Sequence, residues 1–151
     1  MSEHIAYMDN MDFHQRFEDY RRRAFAIKIA EDVTPSVGRV IIAQIDELYS
    51  MIRLDYAMLQ SERNRVESLI KEIERAESKG KNETERKKHA TDAVREFDGG
   101  DGQTYNLYKM YQQVSKRYDM LNALVDILDK KQSRLITVSG LLKLDKELGN
   151  F

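Results

Sequence analysis

Between Leu107 and Leu135 apolar side chains recur with a regularity that leaves little choice of fold. Leu107, Tyr111, Val114, Tyr118, Leu121, Val125, Leu128, Gln132 and Leu135 follow one another at alternating steps of four and three, the rhythm of a helix packed lengthwise on another helix. The stretch continues through Leu144 to Leu148, where apolar residues cover more of the circumference than one partner helix needs. That breadth predicts a subunit interface, with Leu121, Val125, Leu128, Leu135, Val138, Leu141 and Leu142 as its candidate residues.

The remaining segments read as helices too. After a loose arm over 1–9, Phe13, Phe17, Tyr20, Ala24 and Ile27 repeat at helical spacing, which predicts a helix over 10–30 capped by Asp9 or Asn10. Thr34-Pro35 marks the clearest boundary, with Thr34 as cap and Pro35 at the first helical position. From there a long helix over 35–78 is predicted, keeping a seven-residue beat through Ile41, Ile45, Leu48, Ile52, Leu59, Val66 and Ile73, with Gly80 placed for a left-handed cap. At ~1.5 Å per residue it is a rod of about 65 Å. Asp55 and Glu62 interrupt its seam and read as register or partial-exposure positions rather than a catalytic pair. Asn82 and Glu85 have capping-box spacing and open a third helix over 82–97. Asp98-Gly99-Gly100-Asp101-Gly102-Gln103 reads as a hinge over 98–103, and Thr104 as the cap of the fourth helix over 104–148. The expected fold class is therefore all-α: one elongated antiparallel helical hairpin or coiled-coil bundle with two long and two shorter helices.

Composition narrows the function classes. The 151 residues contain no cysteine, which removes disulfides, thiolate nucleophiles and cysteine-ligated metal. His4, His14 and His89 are scattered, and the Glu85/His89 pair reads as a surface contact. No serine elbow, nucleotide-binding glycine motif or calcium loop is present, so the chain reads as no enzyme and needs no cofactor. With no long apolar run and no signal-peptide profile at the N-terminus, a soluble cytoplasmic protein is expected and a membrane-spanning one is not.

The near balance of 25 basic and 26 acidic residues makes distribution matter more than total charge. Arg21, Arg22, Arg23 and Lys28 read either as a solvated, paired helix face or as a patch for phosphates or a membrane surface. Lys79, Lys81, Arg86, Lys87 and Lys88 crowd the Gly80 turn among glutamates, and are candidates for nucleic-acid contact if the turn is more than a solvated tip. Tyr105 and Tyr108, beside Lys116 and Arg117, are candidate stacking platforms, whereas Tyr111 and Tyr118 belong to the seam.

The order of parts resembles small phage-encoded helical proteins. The resemblance lies in a charged helix around Leu54-Asp55-Tyr56-Ala57-Met58-Leu59, a polar turn, and the Glu/Lys-rich Thr84-Glu85-Arg86-Lys87. Leu124-Val125-Asp126-Ile127-Leu128 leading to Ser133-Arg134, within Tyr118–Glu147, resembles the C-terminal helix of UvsY-type recombination mediators. That resemblance implies a homo-oligomer that binds single-stranded DNA and helps load a recombinase onto strands covered by single-strand-binding protein. It also implies that Lys116, Arg117, Lys130, Lys131 and Arg134 face phosphates together with the basic residues of the Gly80 turn. The helix over 10–30 and the balanced charge depart from the family pattern. The expectation is thus a non-enzymatic phage accessory of DNA metabolism acting in the host cytoplasm, and the alternative is a coiled-coil adaptor, assembly factor or inhibitor that captures a protein without nucleic acid.

Overall fold

The structure is a computed structural model and describes residues 4–149 apart from the Asp145 side chain; residues 1–3 of the expected arm and 150–151 lie outside the described residues. Helices make up 79% of the described residues, which is all-α as the apolar periods require. The elements are α1 (Asn10–Ala26), α2 (Pro35–Ala76), α3 (Glu83–Arg95), β1 (Phe97–Asp98), β2 (Thr104–Tyr105) and α4 (Leu107–Gly149).

Local chemistry explains where the helices begin. Asp9 Oδ1 accepts the Asp12 N–H at 2.8 Å, so Asp9 is the cap of α1. Thr34 Oγ1 accepts the Val37 N–H at 3.3 Å and caps α2. At α3, Asn82 Oδ1 accepts the Glu85 N–H while Glu85 Oε2 accepts the Lys81 N–H, both at 2.9 Å.

Several expected boundaries move. The first helix stops at Ala26, four residues short of position 30, because Ile27 leaves helical geometry at ψ 104. Turning out there buries Ile27 and, beyond it, Val33. The second stops at Ala76, so Gly80 is not its cap. Gly80 has φ +153, and a Cβ there would lie 2.7 Å from Glu85 Cβ; glycine serves the close entry into α3 instead.

The stretch read as a hinge is an ordered hairpin. Phe97 pairs with Tyr105 and Asp98 with Thr104, antiparallel. Gly99 N–H donates to the Gln103 carbonyl at 3.1 Å, and Gly100 and Gln103 donate to Asp98 Oδ1 and Asp101 Oδ1. Since Thr104 is spent in β2, the cap of α4 passes to Asn106, whose Oδ1 accepts from Tyr108 N at 3.1 Å and Lys109 N at 3.3 Å.

The chain divides into two compact units, one of Met1–Tyr56 with Met120–Phe151 and one of Ala57–Asp119. In the second, Val66, Ile70, Val94 and Leu107 form a buried cluster, with Ile73, Phe97 and Tyr111 packed on it. Tyr108 OH donates to Glu74 Oε1 at 2.7 Å, and the Arg63 guanidinium lies over the Tyr118 ring at 4.9 Å. The contacts advance along α2 as they recede along α4, so the two run antiparallel there. Glu62, on the buried line of α2, is held by Arg65 at 2.6 and 3.0 Å.

The first unit is organised by Asp55. This carboxylate is buried, not partly exposed, and α1 supplies its donors. Arg16 Nε and Nη2 donate to its two oxygens at 2.7 and 2.8 Å, and Tyr20 OH donates to Oδ2 at 2.5 Å. Burial, and next the bond to Asp55, push the Tyr20 phenol up from 10.0 to about 12.

A raised folded-state pKa means that folding favours the protonated phenol. Its contribution is complete below pH 10 and is lost as the pH rises through about 12. In urea unfolding, Tyr20→Phe is expected to cost about 1–2 kcal/mol at neutral pH by depriving Asp55 of a donor. The variant should also lose less stability than wild type between pH 10 and 12, and equal alkaline losses would contradict this account.

Candidate functional site

The expected interface seam turns inward. Leu121, Val125, Leu128, Leu135 and Val138 are all buried within a single copy of the chain, so five of the seven interface candidates build its own core. The heptad pattern foretold a helical contact, and the chain's own elements meet it. Leu142 is half-buried and Leu141 is exposed.

Past Arg134, α4 carries a second apolar line. Thr137, Leu141, Leu144 and Leu148 are spaced four, three and four residues apart, on the side of the helix away from Leu135, Val138 and Leu142. Leu141, Leu144 and Leu148 are 57%, 49% and 60% exposed. A line of this spacing fits another helix.

Several candidates for DNA contact are committed elsewhere. Arg117 is 2% exposed and cannot reach a phosphate at the surface. The Tyr105 hydroxyl donates to Asp101 Oδ2 at 2.5 Å, which holds the Asp101 carboxyl below its usual range, and the Tyr105 ring lies where a Gly99 side chain would go. Tyr108 packs on the second unit's core and its hydroxyl serves Glu74; burial first, then that bond, raises its pKa. Neither tyrosine is a free platform. Sequence spacing placed them beside cations, but the hairpin and core that claim them are tertiary features.

At the α2–α3 turn the cations are exposed and mixed with acids. Lys87 pairs with Glu83 at 2.8 Å and Lys79 with Glu77 at 3.8 Å. Arg86 reaches only the Gly80 carbonyl at 3.4 Å, and Lys81 and Lys88 are exposed beside them. His89 Nδ1 meets the Glu77 carbonyl at 2.7 Å rather than Glu85, whose carboxylate is taken by Lys81 N–H. The positive charge of this turn is largely offset locally.

The first unit concentrates cations differently. On α1, Arg22 pairs with Asp19 at 2.7 Å, Arg21 with Glu18 at 3.3 Å, and Arg23 with Glu47 at 3.6 Å, so the arginine run is a paired face. On α4, by contrast, Lys130 and Arg134 are exposed, and among the described residues neither has a carboxylate within 4 Å. Lys131, between them, donates to the Ile27 carbonyl just past α1, and its ammonium lies 5.9 Å from the Phe25 ring. Burial, followed by the charge of Lys28, lowers the Lys131 pKa. Lys116 is exposed on the α4 segment of the second unit.

Among the described residues, no group of three His, Asp or Glu side chains converges as a metal site, and no helix is long and apolar enough to cross a membrane. No family model matches this chain, and no curated protein or solved structure matches it.

The two sides of α4 predict opposite mutant behaviour. Leu128→Asp buries an unpaired charge and should cost several kcal/mol, seen as lost helical circular dichroism at moderate temperature. Leu144→Asp should melt within a few degrees of wild type, and a collapse of the fold there would show that the outer line is structural.

Proposed function

We propose that this chain is a non-enzymatic accessory of DNA metabolism, of the recombination-mediator kind, that self-associates and binds single-stranded DNA without sequence preference. The observation that carries the reading is the strip Lys130, Lys131 and Arg134, whose cations have no carboxylate partner among the described residues and which lies beside Lys28 and an exposed aromatic ring. Cations that the fold leaves unneutralised attract a polyanion, and the attraction is indifferent to base sequence. The C-terminal likeness to UvsY-type mediators points the same way. Lys116 and the α2–α3 turn are secondary contacts in this reading, because the glutamates of the turn oppose phosphate approach.

Self-association is supported by the outer apolar line of α4. Leu141, Leu144 and Leu148 offer three neighbouring side chains whose burial by another helix is worth about 1.5–3 kcal/mol each at most. The same line favours a second reading, an adaptor that captures a partner helix without nucleic acid.

Fluorescence anisotropy with labelled oligo(dT) separates the two. Binding is expected at low salt and should weaken with a log–log slope of about −2 to −3, at ~0.7 per phosphate for three or four contacts. Absence of binding at low salt would remove the DNA reading. Sedimentation velocity should show a mass above that of one chain, reduced by Leu141→Asp with Leu148→Asp. A wild-type protein that stays single at all concentrations would end the self-association claim.

A further inference from the structure

Phe25 is an unusual surface residue. It occupies the last turn of α1 and leaves 52% of its surface in water. Cations from two parts of the fold gather around it. The Arg21 guanidinium lies over the ring, 5.4 Å from its centroid, and the Lys131 ammonium, arriving from α4, also lies over it at 5.9 Å, so a stacked base would take the place of one of these cations on the ring. Lys28 follows three residues later and is close enough to Lys131 for their like charges to interact unfavourably. Among the described residues neither lysine has a carboxylate within 4 Å.

The helix end explains only part of this. The C-terminal carbonyls of α1 attract one cation, and Lys131 answers them through the Ile27 carbonyl. Nothing in that role calls for a second ammonium or for an aromatic side chain left half in solvent. Beside the ring runs an open cleft of about 780 Å³, lined by Arg21, Arg22, Phe25 and Lys28 among others. Glu18 and Asp19 also line it, but both are engaged by the arginines of their own helix.

We propose that Phe25 is a base-stacking platform and that Lys28 and Lys131 hold the phosphates flanking the stacked nucleotide of a single strand. The site deepens the DNA-binding reading and rests on it. A single-stranded nucleic acid fits because each of its units offers a planar face and an anion together, whereas the faces of duplex bases are hidden in the stack. An acidic peptide satisfies the ammonium groups but leaves the ring unused.

The test uses the full chain and labelled oligo(dT) at low salt. Phe25→Ala is expected to weaken binding roughly 5- to 150-fold with an unchanged salt slope, because stacking carries no counterion release. Phe25→Tyr should restore affinity, since it keeps the aromatic face. Lys28→Gln should instead reduce the salt slope by about 0.7. An abasic strand should bind wild type and Phe25→Ala alike. If wild type binds but Phe25→Ala binds equally well, the platform is wrong while the DNA reading stands. Equal competition by poly-glutamate would likewise overturn stacking in favour of a general anion patch. If wild type binds no oligonucleotide, the failure lies with the DNA reading itself.

Discussion

A carboxylate set into an apolar helix line must find donors, and much of the first unit follows from how Asp55 finds them. A lone ionised carboxylate in that position costs far more than a core of this size can offset. Arg16 and Tyr20, one turn apart on α1, meet both oxygens, and the docking of α1 is thereby tied to one place along α2. Once α1 is held there, Phe13, Tyr20 and Ala24 share its buried face, and Ile27 is buried just past its end. Replacing such a set with apolar residues of similar volume is often neutral for stability, whereas removing one partner leaves a buried charge short of donors and is costly.

Helix α4 presents two faces with different duties. Through Leu107, Val114, Leu121, Val125, Leu128 and Leu135 it supplies buried side chains to both units, and its last turns add Leu141, Leu144 and Leu148 on the opposite side. One helix thus supplies core side chains from one face and leaves an apolar line exposed on the other. The proposed self-association rests on this outer line and not on the buried seam that the heptad pattern emphasises.

Net charge conceals the electrostatics. Around the α2–α3 turn, lysine alternates with glutamate and ion pairs form locally. Exposed pairs of this kind contribute little stability and leave little field. Along α4, Lys130, Lys131 and Arg134 are not neutralised in the same way, and the fold brings Lys28 to them. A formal charge of −1 thus says nothing of which cations the fold leaves without a carboxylate partner.

The amino-acid order by itself determined the all-α class, the four helices and the caps at Thr34 and Asn82, and it narrowed the first cap to Asp9 or Asn10, because apolar period and capping chemistry act over a few residues. It did not reveal that Asp98–Gln103 closes a hairpin, since that depends on the Phe97–Tyr105 pairing and on a ring packed over Gly99. Nor did it reveal that Arg117 is buried while Phe25 is exposed, or that Leu128 faces its own chain rather than another copy. A heptad states that a helix face will be covered but not by what, and a cation's availability depends on neighbours distant in sequence. Lys131 and Ile27 are 104 positions apart, and only folding makes them neighbours.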